Sequence, residues 1–308
     1  MRIHTDWKGL SADARGATIA MGNFDGVHLG HRSVIDHARA AIDAPLGVVL
    51  FEPHPREVFQ PDAPPFRLMN AESRANRLAR LGVDHLYQLP FGPVLAGLTP
   101  EKFACEVLVE GLGVRHVTVG ADFRFGKGRA GDAGVLAQLG RDMGFGVTIA
   151  PLIGESDRYS SSAIRTALSE GRPDEAARML GHWHRIEGEV LHGDARGREL
   201  GYPTANMALD HLHRPAFGVY AVMVDVLTGP HRGSYKGVAS LGVRPTFGVN
   251  KPNLESYIFD FSGDLYGEHL SVALVSYLRP ELKFDDLDAL IMQMDADSAQ
   301  ARKLLADG

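Results

Sequence analysis

Near residue 180 the hydrophobic rhythm of this 308-residue chain changes, and no single regular architecture accommodates both rhythms. Before that point short apolar runs alternate with helical patterns: ATIAM, HRSVIDHARAAID, LGVVLF, and later VRHVTVG and GVTIAPL. Strands separated by helices predict a parallel sheet wrapped by those helices. Afterwards come RIEGEVLHG, GVYAVMVDVL, YKGVASLGV, LESYIFDF and LSVALVSYLR, divided by Gly and Pro without helical patterns between them. These predict an antiparallel barrel or sandwich. The chain is also longer than one ordinary core sustains. The expected fold class is therefore α/β plus β, with domains 1–181 and 182–308.

Within the first half, Val34, Ile35, Ala38, Ala41 and Ile42 recur at helical spacing, and the helix they predict begins near His31. At the far end, Phe284, Leu287, Leu290, Ile291 and Met294 predict a terminal helix packed on the barrel. Composition excludes several classes. A net charge of −6 lacks the basic footprint of a general nucleic-acid binder. The single cysteine, Cys105, sits in the amphipathic pattern EKFACEVLVEGL, which excludes an internal disulfide and a cysteine metal cluster. The first residues lack an apolar signal core, and no apolar run reaches the roughly 18 residues of a membrane span. The cytoplasm is the expected compartment, with no membrane partner.

The stretch GNFDGVHLGH follows a strand and opens a helix, where free N–H groups attract anions beyond the carboxyl ends of a parallel sheet. Gly22, Gly26 and Gly30 permit tight turns and close approach, and His28 and His31 fall on one side of an incipient helical turn. Two imidazoles so placed suit one phosphate; a zinc site would need at least one more ligand from nearby loops. His54, in FEPHP, sits at another strand's carboxyl end, as a ligand group or as part of a rigid Pro-bounded turn. The loop GADFRFGKGRAGD combines Gly120, Gly126, Gly128 and Gly131 with Arg124, Lys127 and Arg129, which suits phosphates. SSSAIR opens a further helix, where Ser160 to Ser162 can cap it.

In the second half, GDARGRELGYPTAN spaces Gly193, Gly197 and Gly201 evenly around Arg196 and Arg198, a phosphate cradle without the G-K-[ST] of a Walker loop. Thr204 and Asn206 offer neutral oxygens of the kind magnesium accepts when phosphates and water complete its octahedron. Glu255 shares a strand face with Tyr257, Phe259 and Phe261 by period-2 alternation. A carboxylate there sits either at the strand's wet end or in a partly desolvated pocket, where its basicity would rise.

Taken in order, GNFDGVHLGH, FEPHPREVF, VGADFRFGKGRAGD, SSSAIRTALSEG and PTAN resemble the prokaryotic bifunctional riboflavin kinase/FMN adenylyltransferase (FAD synthetase) family, over nearly the whole chain. The resemblance implies a Rossmann-like nucleotidyltransferase domain followed by a β-barrel riboflavin kinase domain. Its substrates would be riboflavin, FMN and ATP, with Mg2+ as cofactor, and flavoproteins are candidate recipients of the product. His28 and His31 match the family's H-x-G-H, and Gly22, Phe24, Gly30, Ser161, Ser162 and Arg165 would bind ATP in the adenylyltransferase. His54, Asp122, Phe123 and Arg124 would bind FMN there. In the kinase, Gly193, Arg198, Gly201, Thr204 and Asn206 would bind ATP, with Thr204 and Asn206 on the metal. Glu255 would be the catalytic base, and Arg279 and Glu281 would lie near the flavin ring. Tyr159 and Ser162 depart from the family's I-S-S-T-x-I-R, though Ser162 keeps the hydroxyl. Two rivals are a monofunctional FMN adenylyltransferase with an inactive barrel and a flavin-binding sensor without turnover.

Overall fold

The computed structural model describes residues 1–151, 159–192, 201–244 and 251–306, which fall into two compact units. One comprises Met1–Pro64 with Arg74–Tyr159, the other Pro65–Ser73 with Ser160–Gly308.

The first unit holds β1 (Arg2–His4), β2 (Thr18–Met21), β3 (Leu46–Glu52), β4 (His85–Pro90), β5 (His116–Gly120), the two-residue strands β6 (Arg124–Phe125) and β7 (Gly131–Asp132), and β8 (Gly146–Ala150). Six of them form a parallel sheet in the order β1-β4-β3-β2-β5-β8. All of β2 and the first five residues of β3 are buried, as a sheet covered on both faces requires. Helix Leu29–Ala41 turns Ile35 and Ala38 inward, and the buried Thr18 hydroxyl donates to Ala38 O at 2.8 Å. The segment Phe103–Leu112 winds as a π-helix where its pattern predicts an α-helix, with Phe103, Val107, Leu108 and Leu112 buried and Cys105 half-buried. The chain runs outward from β2 through β3 to β4, then crosses back to place β5 on the other side of β2. That reversal is where ligands bind in open α/β sheets.

The second unit opens with helices Ser161–Ser169 and Pro173–Leu180. Next come β9 (His184–Glu189), β10 (Thr204–Ala208), β11 (Gly218–Val226), β12 (Gly233–Arg244), β13 (Lys251–Ile258) and β14 (His269–Arg279), and the terminal helix Leu287–Ala306. The strands pair antiparallel in the order β10-β13-β12-β11-β14-β9. Just past β9, the Leu191 N–H donates to Asn206 O of β10 at 2.8 Å, so the two edges of the sheet meet as it curls. Ile186, Met207, Tyr220, Val222, Leu241, Leu254 and Leu274 fill one face. On the other, Val219, Ala221, Val238 and Phe259 pack against Ala301 and Leu305 of the terminal helix.

That helix begins at Leu287, later than the apolar stripe from Phe284 suggests, and Leu287 itself is exposed. Its buried face is Asp297, Ser298, Ala301 and Leu305, half of it polar. The reason is Arg279 at the end of β14: its half-buried guanidinium donates to both oxygens of the buried Asp297 at 2.7 to 3.0 Å, pinning the helix through an ion pair.

His184 opens β9 almost fully buried, and its Nε2 has no hydrogen-bond partner. Burial above all, then the nearby His213 and His182, push its pKa down to about 3. Below an ordinary value of 6.5 the unfolded chain binds a proton there that the folded chain refuses. Stability present above that value is therefore lost as pH falls, by up to about 1.4 kcal/mol per pH unit. In urea titrations, His184→Leu is expected to flatten the slope of stability against pH in the acid range by about one proton. An unchanged slope would mean that His184 takes up its proton in the folded chain.

Candidate active sites

In the first unit three loops leave the carboxyl ends of the adjacent strands β3, β2 and β5, on either side of the sheet's reversal. They carry His54, the Phe24 to His31 stretch, and Asp122 to Arg124 respectively.

The middle loop is the most constrained. Gly22 continues from β2, its N–H donating to Val49 O at 3.1 Å. Phe24 and Val27 have φ of 51° and 43°, a region that costs a non-glycine residue about 1–3 kcal/mol. Phe24, Asp25 and Val27 are buried, so packing holds the strained turn. His28 stands outside helix Leu29–Ala41 as its N-cap, and its Nδ1 accepts from the His31 N–H at 3.2 Å. The helix thus starts at Leu29, ahead of the expected His31, because His28 caps it. An accepting Nδ1 leaves the ring proton on Nε2. The two imidazoles stack at 3.6 Å between centroids and 16° between planes. A Cβ at Gly30 would come within 3.1 Å of the His28 ring, so glycine is what permits this stack. The His31 Nδ1 is buried without a hydrogen-bond partner. Burial first, then the charges of His28 and Arg74, push the His31 pKa well below the ordinary histidine value. His31 is held neutral.

His54 caps the short helix Pro55–Phe59, its Nδ1 accepting from Arg56 N–H at 3.1 Å while the Glu57 carboxylate accepts from the His54 N–H at 3.0 Å. Asp122 is exposed; Phe123 is half-buried and stacks on Phe125 at 5.7 Å. Arg124 is exposed and pairs with Asp132 at 3.2 Å. One residue in this unit escaped sequence reading: Arg74, fully buried and hydrogen-bonded to Glu52 at the end of β3. A charged residue in a helical pattern reads as solvated, so nothing in the spacing marks it.

In the second unit Ser160 caps its helix by accepting from Ala163 N–H at 3.2 Å, which leaves Ser161 and Ser162 in the first turn. The Arg165 Nε donates to Phe66 O at 2.6 Å, and its guanidinium lies 5.3 Å from the Phe66 ring centre.

The barrel brings its candidates together by register. Thr204 pairs with Tyr257 and Asn206 with Glu255 across β10 and β13. Directly opposed residues of an antiparallel pair share a face, so Thr204, Asn206, Asn253, Glu255 and Tyr257 line one side. It is the side covered further along by the terminal helix, since Val238 pairs with Tyr257 and packs with Ala301 and Leu305. Asn253 was not anticipated, although its place two residues before Glu255 was the signal. Its Nδ2 donates to Asn206 Oδ1 at 2.9 Å and to Glu255 Oε1 at 3.2 Å. The expected aromatic row is shorter than its alternation: β13 ends at Ile258, Asp260 turns with φ 56°, and Phe261 packs with the other face. Tyr257 instead meets Tyr202 at 4.7 Å between centroids, and the Tyr202 hydroxyl donates to Asp295 of the terminal helix.

Glu281 reaches the same face: its carboxylate fills the space a Cβ on Gly242 would need, and Gly242 pairs with Asn253. Arg279 is engaged by Asp297 and stands 5.9 Å from the Phe284 ring centre. Gly201 is exposed with φ 80°, whereas Gly193 and Arg198 lie outside the described residues. Among the described residues no group of three or more His, Cys, Asp or Glu is placed to hold a metal, and no helix is long and apolar enough to cross a membrane.

Residues 10–164 match the family model described as FAD synthetase, and residues 180–305 the one described as riboflavin kinase. The bifunctional riboflavin kinase/FMN adenylyltransferase of Pseudomonas fluorescens is 43% identical over 303 residues, 96% of each chain. That of Escherichia coli (strain K12) is 39% identical over 296 residues, 95% of this chain and 94% of its own. A solved structure from Streptococcus pneumoniae, described as a macrolide-efflux protein, superposes with a TM-score of 0.85 at 32% identity and 98% coverage of both chains. With two family models end to end along it and relatives of that identity across nearly its full length, the chain belongs to the bifunctional riboflavin kinase/FMN adenylyltransferase family.

Proposed function

We propose that this chain makes FAD from riboflavin in two ATP-dependent steps, one in each unit. In the barrel, the ribityl 5′-hydroxyl of riboflavin attacks the γ-phosphorus of ATP. The new O–P bond gives FMN, the bond to the bridging oxygen breaks, and ADP leaves. A neutral hydroxyl is a poor nucleophile, so Glu255 accepts its proton as the bond forms. What supports this reading is the cross-strand adjacency of Asn206 and Glu255, which sets phosphate-side oxygens beside a carboxylate.

In the first unit, a phosphate oxygen of FMN attacks the α-phosphorus of a second ATP, and pyrophosphate leaves with the α–β bridging oxygen. That nucleophile needs no base, because a phosphate monoester with a second pKa near about 6 is largely ionised at neutral pH. The stacked pair His28 and His31 fits this chemistry: a Nε2–H on His28 can donate to charge developing on phosphate oxygens. On the family pattern, His54, Asp122, Phe123 and Arg124 are assigned to FMN; the same pattern gives ATP phosphates to Ser161, Ser162 and Arg165, which open the first helix of the other compact unit. On the same pattern Arg279 and Glu281 are assigned to the flavin side of the kinase face, where Arg279 also pairs with Asp297 of the terminal helix.

The donor set on the kinase face suits Mg2+. The Thr204 hydroxyl and the Asn206 amide oxygen are hard, neutral ligands that would share the ion with phosphates and water. When bound, the ion would offset the charge on the phosphates.

Incubating the purified chain with riboflavin, ATP and magnesium, and separating flavins over time, is expected to show FMN first and FAD after it. Omitting magnesium should stop both conversions. Unchanged riboflavin with FMN still converted to FAD would mean an adenylyltransferase with a silent barrel. Failure of both would leave a flavin-binding protein.

A further inference from the structure

We propose that Asn253 is a positioning residue of the kinase site, fixing the working orientations of Asn206 and Glu255 through its side-chain amide. The inference rests on the kinase reading of that face. An amide NH2 carries two protons, and those of Asn253 go to different oxygens, Asn206 Oδ1 at 2.9 Å and Glu255 Oε1 at 3.2 Å. Asn206 and Glu255 are cross-strand partners.

The first bond sets the flip of Asn206. With Oδ1 accepting from Asn253, its Nδ2 turns to Thr204 O at 3.3 Å. The oxygen keeps a second lone pair for a cation, and Asn206 is held in the state a metal ligand needs. The second bond holds the Glu255 carboxylate with Oε1 towards Asn253. Asn253 is therefore a shared brace for the two groups, on the same strand as the base and half-buried beside it.

Asn253→Asp tests this with little change of shape. It replaces the donor by a third acceptor and, when ionised, by a like charge. Kinase kcat is expected to fall by about tenfold or more with the riboflavin KM near wild type, and with conversion of supplied FMN to FAD unchanged in the same preparation. Asn253→Ala should lower kinase kcat by about tenfold or more while leaving the riboflavin KM near wild type. FMN-to-FAD turnover and thermal melting of the full chain report folding for both variants. Kinase kcat and riboflavin KM superimposable on wild type in Asn253→Asp, with Glu255→Gln inactive alongside, would overturn the role of Asn253. An active Glu255→Gln would instead overturn the kinase assignment of that face, and this inference with it.

Discussion

Glu255→Gln is expected to lower conversion of riboflavin to FMN by about a thousandfold, within the range lost when a positioned general base is removed. Supplied FMN should still become FAD at close to the wild-type rate. The substitution is a clean one because the amide oxygen of glutamine can still accept from Asn253, as Glu255 Oε1 does at 3.2 Å. Register with Asn206 and packing of Tyr257 against Tyr202 need not change. What disappears is a group able to take a proton from a ribityl hydroxyl. The measurement is a pair of initial rates on one preparation, riboflavin consumption and FAD formation from FMN. A kinase rate within a few fold of wild type would exclude Glu255 as the base. Parallel loss of both rates would point to misfolding, since two separate sites would not fail together for a chemical reason.

What sequence could reveal here depended on whether spacing alone carried the information. The HLGH stretch was legible because glycines and two histidines three apart imply a turn and a shared direction, and their rings do stack at 3.6 Å. The pairing of Asn206 with Glu255 was not legible, since register depends on a strand partner some fifty residues away, between Asn206 and Glu255 themselves. Alternation placed Phe261 with Glu255 only as long as β13 was assumed to continue; the left-handed turn at Asp260 ends the periodicity. The terminal helix misled in a related way. Its apolar stripe lies in the first half, but its buried face is set by Asp297 answering Arg279, and an apolar pattern cannot announce a charge pair. Arg74 against Glu52 is hidden for the same reason.

His28→Asn is expected to reduce FAD formation from FMN by about a hundredfold to a thousandfold, the loss typical of removing one preorganised donor to developing charge. Riboflavin phosphorylation should continue, so FMN accumulates. His28 caps a helix in the structure and carries the proposed donor role besides, and the choice of asparagine separates the two. Through Nδ1 it accepts from the His31 N–H and caps helix Leu29–Ala41; loss of such a cap costs about 1 kcal/mol. Asparagine is among the best N-caps, so the helix start and the position of the His31 backbone are retained. The stacked imidazole and its Nε2–H are lost. His28→Ala removes both functions, and comparison of the two variants by thermal melting isolates the cap. If His28→Asn keeps FAD formation within a few fold while His28→Ala loses it, the histidine is structural and the phosphate role falls. If both lose FAD formation while FMN still appears, the imidazole itself serves the adenylyl transfer, and the two reactions occupy separate sites.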